Sequence, residues 1–399
     1  MIQTILHILF LILFIYLGIN TVYFFIIALA GKFYHPTIYR DNSAKKKIAV
    51  LIPSYKEDEV ILSTARKAKS HNYPTEFFDV FVAADQLKPE TIAELKKIPV
   101  NVLEVKFEIS SKARSLNQLL NNIPEEKYDV AIILDGDNIM MPGCLEKVNA
   151  AFQKGFRAAQ CHRIAKNKNT AIAVLDAMSE EINNNIFRKG QRALGFSSST
   201  IGSGMAFEFK KLKEIYNKPG ILGNPACDRE VDFEIMKAEI TIEFIDDAYV
   251  LDEKVSNRAV YQRQRTRWLE SQIIHLRLFF DNKDGKLRKT KNYWNRLFFN
   301  LAPPRLLFLL SYFVLFLIFL LEYFTHYSIL YPSYFYWLII TGMFALVMII
   351  SVPKSLYSWS TVKALCYVPL LVFSMVKALF SMKVNRKEFL HTPKVHTEE

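Results

Sequence analysis

Four apolar segments constrain the fold of this chain more than any other feature. They cover about residues 2–30, 306–324, 333–352 and 361–382. A helix needs roughly 20 apolar residues to cross a bilayer, and a helix that is apolar on every side is unusual in a soluble protein. The pattern predicts one N-terminal transmembrane helix at residues 1–31 and about three more within 306–382. A cleaved signal peptide fits less well, because the first run is long and its basic cluster follows it.

The positive charge of the chain lies mostly beside these segments. The formal net charge is +12 and the pI is near 9.3, but no nucleic-acid-binding motif accompanies them, so we expect no nucleic-acid partner. Basic residues that follow the first and last apolar segments are Lys32, Arg40, Lys45, Lys46, Lys47, Lys383, Arg386 and Lys387. The positive-inside rule places residues 32 onward in the cytoplasm and predicts a multi-pass protein of the cell (inner) membrane, in contact with membrane lipid.

The same rule produces a conflict at the C-terminus. Three spans after a cytoplasmic domain would put the tail at 383–399 outside the cell, whereas its basic residues favour the cytoplasm. Either one apolar segment is re-entrant or interfacial, or the tail breaks the rule. The four cysteines show no metal-ligand spacing and no disulfide framework, which agrees with a reducing cytoplasmic face.

Residues 45–290 have the pattern of an α/β domain. Continuous apolar runs at 48–52, 80–84 and 130–134 are typical of strands buried on both faces, and helical stretches lie between them. We therefore expect a largely parallel sheet with helices on both sides. The aromatic residues and prolines of 291–305 suit an interfacial helix, and a loop fits nearly as well.

Acidic residues follow two of the predicted strands. Asp85 ends the second strand, where its carboxylate can accept hydrogen bonds from a nucleobase, although an aspartate there also suits a helix cap. Asp135 and Asp137 follow the third strand, separated by one glycine. Two such carboxylates can share a divalent cation completed by diphosphate and water. Ligands bind beyond the carboxyl ends of strands in α/β sheets, so we expect these residues in one site.

Three further positions carry candidate chemistry. Lys112 begins a helix, where an ammonium and free N–H groups can hold phosphate. Gly204 lies in a small, flexible stretch that lets the backbone approach a ligand, or simply turns before a strand. Asp228 heads a predicted helix and is the candidate general base, with Glu230 and Asp232 as rivals and a helix cap as the alternative role.

The sequence Gln264-Arg265-Thr266-Arg267-Trp268 combines planar cations with an aromatic ring. Arginine can bind phosphate through two donors, and the tryptophan face can support a sugar ring. A basic interfacial helix would have the same composition. On charge alone, that second interpretation is favoured.

Taken in order within membrane spans, these motifs resemble the membrane-bound family-2 glycosyltransferases with a GT-A (Rossmann-like) fold. That group includes cellulose, chitin, hyaluronan and poly-N-acetylglucosamine synthases. The resemblance covers about residues 45–270 in detail. It departs at Cys227, where the family usually has Glu, and at Glu239, where a glycine is common.

The resemblance implies roles for named residues. Those of the nucleotide site are Pro53, Tyr55, Glu57, Asp85, Lys112 and Asp135. Asp135 and Asp137 would bind Mg²⁺ or Mn²⁺, and Asp228 would be the catalytic base. The acceptor and diphosphate would contact Gly204, Gln264, Arg265, Arg267 and Trp268.

The resemblance also implies an activity, which is inverting transfer from a UDP-sugar of glucose or N-acetylglucosamine type to a growing polysaccharide or oligosaccharide at the cytoplasmic face. Transfer of a single sugar to a membrane lipid is the alternative. A non-catalytic subunit is disfavoured, because an aspartate stands at each key acidic position. The small number of spans leaves open a homo-oligomer or an accessory subunit.

Overall fold

A computed structural model describes residues 2–38, 44–223, 227–281 and 285–383. The polar region folds around a single sheet. Its strands are β1 (Ile48–Tyr55), β2 (Phe78–Asp85), β3 (Asn101–Val105), β4 (Val130–Ile133), β5 (Ile139–Met140), β6 (Ala158–Ala165), β7 (Met205–Glu208) and β8 (Ile242–Asp252). Their order across the sheet is β3-β2-β1-β4-β7-β6-β8-β5. The α/β fold expected from the sequence is confirmed.

The sheet is mixed, whereas the sequence predicted a largely parallel one. Strands β3, β2, β1 and β4 are parallel, but β7 lies antiparallel between β4 and β6, and β5 is antiparallel to β8. The apolar runs identify buried strands, yet they carry no information about strand direction. The parallel half is the half that brings the predicted site residues to one edge.

Helices cover both faces of this sheet. They are α2 (Ile61–Lys69), α3 (Pro89–Leu95), α4 (Lys112–Asn122), α5 (Cys144–Gln153), α6 (Ala171–Asn184), α7 (Gly190–Ala193), α8 (Phe209–Tyr216) and α9 (Cys227–Lys237). A π-helical turn at Asn185–Lys189 joins α6 to α7. Two apolar cores result, because the alternate side chains of β1 and β4 point to opposite faces. The helices α2 and α5 pack on one core, and α4, α8 and α9 pack on the other.

Two positions where the sequence departs from the family pattern lie at the ends of α9. Cys227, the first residue of α9, is buried against the second core. Glu239 follows the helix and has a φ of 56°, a left-handed conformation in which glycine carries no strain. Arg288 Nη1 lies 2.9 Å from Glu239 Oε1 on the surface. The backbone therefore keeps the geometry that glycine commonly supplies, although the side chain differs.

The domain continues into two helices that connect it to the membrane-facing helices. They are α10 (Arg258–Leu278) and α11 (Lys291–Leu301), which carries the segment predicted to be interfacial. The Arg296 guanidinium of α11 reaches back to Asp232 of α9, with Nη1 3.1 Å from Oδ2. On the other side, Tyr23 donates a hydrogen bond of 2.7 Å to Asn295. Helix α11 is thus fixed to the domain and to the first apolar helix.

Among the described residues, three helices are long and apolar enough to cross a membrane. They are α1 (Ile2–Lys32), α12 (Arg305–Thr325) and α13 (Tyr334–Ser351). They pack into one bundle whose core includes Leu17, Phe308 and Phe344. Buried Asn185 joins the bundle to the domain, since its amide donates hydrogen bonds of 3.0 Å to the Ala28 carbonyl and to Ser351 Oγ. This finding supports membrane association.

The last predicted span has a different shape. It consists of α14 (Trp359–Leu365) and α15 (Val368–Phe380), which meet at a bend of 47°. Neither helix alone has the roughly 20 residues that a span requires. Most of the basic tail, from residue 384 onward, lies outside the described residues, as do Arg40 and Ala226.

A buried histidine makes the stability of the domain depend on pH. His162 lies at a bulge in β6, with its Nδ1 2.9 Å from Asp246 Oδ1 and its Nε2 3.3 Å from Glu181 Oε2. Burial lowers the pKa of His162, but these two carboxylates outweigh it and raise the pKa to about 9. The imidazolium is therefore the form that the folded protein holds at neutral pH.

Because the folded pKa of His162 exceeds its unfolded value of about 6.5, its stabilising contribution is complete below pH 6.5. It is lost as pH rises from there through 9. We expect the free energy of unfolding to fall by on the order of 3 kcal/mol over this range. Thermal unfolding in detergent between pH 6 and 10 measures this. In His162→Gln the free energy of unfolding should be lower and should depend less on pH. If it falls as steeply with pH in that variant, His162 is not the group responsible.

Candidate active site

The parallel half of the sheet collects the predicted nucleotide residues at its carboxyl edge. Tyr55, the last residue of β1, pairs in register with Asp85, the last residue of β2. Strand β4 runs parallel to β1 on its other side, so that Asp135 emerges two residues beyond its end. The order of strands thus creates a cleft, as is usual for the carboxyl ends of parallel strands.

Asp85 lies at the carboxyl edge of the sheet, where β2 ends. Its side chain is fully buried, and among the described residues no donor lies in good hydrogen-bonding geometry to either carboxylate oxygen. Burial raises the pKa of Asp85, and the Ser110 hydroxyl and the Lys56 ammonium oppose that rise. A buried acceptor without a donor is costly, so a ligand that brings N–H groups would be stabilised here.

The first motif packs on the turn that carries the two aspartates. A Cβ added at Gly136 would lie 2.0 Å from Glu57 Oε2 and 3.3 Å from Ser54 Oγ. Glu57 therefore occupies the space that glycine leaves open. Pro53 and Tyr55 lie within β1, whose backbone leads directly into this contact. The structure thus brings Glu57 against the Asp135–Asp137 turn, while Pro53 and Tyr55 lie at the end of the strand that leads to it.

The side chain of Lys112 connects two sides of the cleft. It is the first residue of α4, and its ammonium donates hydrogen bonds to Asp135 Oδ1 and to the Gly202 carbonyl. Burial lowers the pKa of Lys112, but Asp135 and the nearby Asp228 outweigh it, and the net shift is upward. Lys112 is therefore a permanent cation placed among the acidic residues of the cleft, where it can meet a diphosphate.

The two aspartates differ in exposure. Asp135 leaves a third of its side chain exposed, whereas Asp137 is 1% exposed and accepts a hydrogen bond of 3.3 Å from the Glu253 backbone N–H. Within the described residues, no group of three or more His, Cys, Asp or Glu side chains is arranged to hold a metal. Mg²⁺ and Mn²⁺ sites of this type use one or two carboxylates and complete their shell with substrate phosphates and water. The donor set fits that mode of binding.

Asp228 and its rival Asp232 lie one turn apart on α9 but have different surroundings. Asp232 is buried, accepts a hydrogen bond from the Thr200 backbone N–H at 3.2 Å and pairs with Arg296. Burial raises the pKa of Asp232, and Arg296 opposes that rise. Asp228 instead faces Gly202 and Lys112 in the cleft. The geometry therefore favours Asp228 over Asp232 as the residue that can reach a substrate.

In the loop before β7, Gly202 lies beside Asp228 and Lys112, whereas the sequence analysis named Gly204. Gly204 pairs with backbone groups of β4 and β6, accepting from Cys161 N–H at 2.7 Å and donating to the Ile133 carbonyl at 2.8 Å. Gly202 is the one that lies in the cleft. Its φ is 86°, and a Cβ there would be 3.2 Å from Asp228 Oδ2 and 3.7 Å from Lys112 Nζ. A sequence signal for Gly202 existed, because both glycines belong to the same small stretch.

Helix α10 presents the two arginines of its motif to different partners. Arg265 is buried, pairs with Asp176 of α6 and stacks on Trp268, with its guanidinium carbon 4.0 Å from the ring centroid. Burial lowers the pKa of Arg267, and the charges that oppose this most are Asp228 and then Asp135. Arg267 therefore lies within the electrostatic field of the cleft, while Arg265 anchors the helix.

The remaining residues of this motif line the same helix. Gln264 is half-buried, and its Oε1 has no partner among the described residues. One face of Trp268 is covered by Arg265, which leaves the rest of a half-buried ring for contact. No motif in the sequence singles out Arg163, yet its Nη1 donates to the Ile201 carbonyl at 3.1 Å and so supports the loop at Gly202.

Replacing Gly202 with alanine tests how tightly this cleft is built. The left-handed φ would cost about 1–2 kcal/mol, and the new methyl would press on Asp228. A displacement of a catalytic group by about 1 Å can cost 10²-fold in rate. We expect kcat to fall at least about tenfold. The matched control is Gly155→Ala, which has a φ of 99° and no atom within 4 Å of the added Cβ. An equal loss of kcat in both variants would show that strain alone is responsible.

Comparison with known proteins bears on the family and the fold of this chain. The model of the glycosyltransferase-like family 2 matches residues 45–271, which is more than half of the chain. No curated protein gives a significant match.

Among solved structures, the mannosyltransferase PcManGT from Pyrobaculum calidifontis, in complex with GDP-Man and Mn²⁺, is similar. It has a TM-score of 0.57 at 15% identity, covering 96% of this chain and 100% of that one. Two others have TM-scores of 0.42. For Staphylococcus aureus TarS, which is 13% identical, the match covers 84% of this chain and 53% of the TarS chain. Glucosyl-3-phosphoglycerate synthase from Mycobacterium tuberculosis, in complex with Mn²⁺, UDP-glucose and phosphoglyceric acid, is 12% identical. The match covers 61% of this chain and 87% of that one.

The mixed sheet with helices on both faces has the GT-A fold, the fold of a class of glycosyltransferases that use nucleotide sugars. The mannosyltransferase shares this fold. The family match then gives the assignment. The chain belongs to the glycosyltransferase-like family 2.

Proposed function

We propose that this protein is an inverting glycosyltransferase that moves a sugar from a UDP-sugar to a growing polysaccharide or oligosaccharide at the cytoplasmic face of the membrane. The observation that carries the proposal is the convergence of Lys112, Asp135, Asp228 and Gly202 in one cleft. This combination supplies a cation for the leaving diphosphate and a carboxylate for the acceptor within the same space.

In the proposed mechanism the buried carboxylate of Asp85 accepts N–H groups of the nucleobase. Lys112 and Arg267 hold the diphosphate, and their positive charge stabilises the negative charge that develops on it. A divalent cation on Asp135 and Asp137 would, when bound, neutralise more of that charge.

Asp228 takes the proton of an acceptor hydroxyl, which forms the new bond to the anomeric carbon as the bond to the diphosphate breaks. Attack from the side opposite the leaving group inverts the configuration at that carbon. The freed nucleoside diphosphate carries away the electron pair of the broken bond, and Asp228 carries the proton.

The donor and the acceptor are the finer parts of this proposal. Transfer of a single sugar to a membrane lipid is the alternative, and it is compatible with the same cleft and the same apolar helices. The structure solved with GDP-Man makes a GDP-sugar worth including beside the UDP-sugars. The proposed chemistry requires neither a homo-oligomer nor an accessory subunit, and it is compatible with both.

The test is nucleotide release by the full chain in lipid, with Mg²⁺ or Mn²⁺, across UDP-glucose, UDP-N-acetylglucosamine and GDP-mannose. Release from one UDP-sugar together with a ladder of product sizes would support the proposal. A single addition to extracted lipid would instead establish the alternative. Release only from GDP-mannose would overturn the choice of donor, and no release from any donor would overturn the proposed activity.

A further inference from the structure

Helices α14 and α15 differ from the other apolar helices in what they pack against. The bundle core of α1, α12 and α13 contains no residue of α14 or α15 among the described residues. Two separate clusters hold this pair instead. One joins Ala364 and Leu371 to α6 and to Tyr261 of α10, and the other joins Met375 and Ala378 to Leu269 of α10.

The contacts with α10 fix the direction of α15. Arg258 Nε donates a hydrogen bond of 3.1 Å to Ser374 Oγ, and the Lys383 backbone N–H donates one of 2.7 Å to Glu270 Oε1. The contact nearer the start of α10 is also the one nearer the start of α15, so the two helices run side by side in the same direction. Helix α10 is part of the catalytic domain and carries Arg263 and Arg267. A helix so charged does not lie within hydrocarbon.

Helix α15 contacts the membrane-spanning helices only near the start of α12, among the described core clusters. Of α12, the two clusters include Leu306 and Leu307, which lie in its first turn. A third C-terminal span would run along α12 towards Thr325 instead. Because α15 meets α12 where that helix leaves the domain, α15 lies at the level of the membrane surface.

The outward face of this helix pair has the composition of a membrane interface. Trp359 is 70% exposed and Phe380 is 85% exposed, and the other exposed apolar residues are Val362, Leu365, Tyr367, Phe373 and Leu379. Lysines accompany them, with Lys377 Nζ 4.8 Å from the ring centroid of Phe373. Aromatic rings and lysines that extend towards headgroups are typical of helices lying in the interface plane.

We propose that α14–α15 is a helical hairpin that lies in the leaflet facing the catalytic domain and does not cross the membrane. The partner of its exposed face is that leaflet, with anionic headgroups beside Lys363 and Lys377. The chain then has three spans, and residue 383 is on the same side as the catalytic domain. This assignment removes the conflict between span number and the basic tail. The loop of residues 326–333 on the other side contains no Lys or Arg.

The arrangement also has a consequence for the cleft. Helix α15 braces α10, the helix that carries Arg267 and Trp268, so seating the hairpin in the leaflet sets the height of these residues above the membrane. The contact of this surface with lipid does not depend on which donor the enzyme uses.

Single-cysteine labelling of the full chain tests the side of residue 383. Cys144, Cys161 and Cys227 are buried, so Cys366→Ser gives a background with no exposed cysteine among the described residues. On that background, Lys383→Cys is compared with Lys96→Cys in the domain and Tyr327→Cys in the loop between α12 and α13. A membrane-impermeant maleimide is applied to intact cells and to inverted vesicles. We expect Lys383→Cys to be labelled in the same preparation as Lys96→Cys. If Lys383→Cys is instead labelled in the preparation that labels Tyr327→Cys, the proposal is overturned.

Depth provides a second measurement that does not depend on the tail. A fluorophore on native Cys366, at the bend, is compared with one on Leu317→Cys in a Cys366→Ser background, near the middle of α12. Quenching by lipids that carry the quencher near the headgroup should be stronger at Cys366. A depth equal to that of residue 317 would mean that α14–α15 crosses the bilayer, and would overturn the proposal. Retained nucleotide release in each labelled variant shows that the chain is folded.

Discussion

Asp228→Asn is expected to reduce turnover by about 10²–10⁴-fold while the affinity for the nucleotide sugar stays within a few-fold of the original. Asparagine keeps the shape of the side chain but cannot accept a proton from the acceptor hydroxyl. The proposed nucleotide contacts at Asp85 and Lys112 are unchanged. Nucleotide release under saturating donor measures turnover, and calorimetric titration of the nucleotide measures binding.

Asp232→Asn is the matched control for this variant. It changes the same chemical group on the same helix, but Asp232 is buried in an ion pair with Arg296. Removing one partner of a buried pair leaves an uncompensated charge and is expected to cost about 3–5 kcal/mol. Asp232→Asn should therefore lower the thermal unfolding temperature clearly, whereas Asp228→Asn should not. Full turnover in Asp228→Asn, or lost turnover with intact stability in Asp232→Asn, would reverse the assignment of the base.

The second large effect is expected at the proposed cation site. Asp137→Asn should weaken Mn²⁺ binding in the presence of UDP by about tenfold or more. It should lower turnover by about 10²-fold, because one of two carboxylate ligands is lost. The Mn²⁺ electron paramagnetic resonance signal reports free metal directly, so binding can be measured without turnover. A chelator should abolish activity in the unaltered protein.

Asp247→Asn is the control for the metal prediction. Asp247 is an exposed aspartate whose carboxylate lies 3.0 Å from Lys147 Nζ at the surface. A surface ion pair of this kind contributes at most about 1 kcal/mol, so metal binding and turnover should not change. If Mn²⁺ binds Asp137→Asn as tightly as the unaltered chain, the two aspartates do not form the cation site.

Much of the fold can be predicted from the sequence, because burial leaves a direct signature. Strands covered on both faces must be apolar throughout, and this property of the sequence is sufficient to identify β1, β2 and β4. Asp85 and Asp135 follow such runs, so their meeting at one edge can also be predicted. The direction of β7 cannot, because an antiparallel strand in a buried position has the same composition as a parallel one.

The candidate site shows the same division. The motif Gln264–Trp268 is evident in the sequence, but two arginines two residues apart on a helix point in different directions. Only the tertiary structure shows that Arg265 pairs with Asp176, and that Arg267 lies close enough to Asp228 and Asp135 for their charges to act on it. The residues of α9 alone leave Asp228 and Asp232 as rivals, and the family resemblance favours Asp228. The packing adds a physical reason, because Asp232 is buried against Arg296.

The C-terminal helices mark the limit of what hydropathy determines. By itself the sequence established that residues 361–382 are apolar and that basic residues follow them, because both are properties of composition. Whether such a segment crosses a bilayer or lies along it depends on which neighbour covers one of its faces. That neighbour is α10, which is about a hundred residues away in the chain. Contacts of that range are fixed by the folded domain, so tertiary structure alone decided the placement of α14 and α15 beside it.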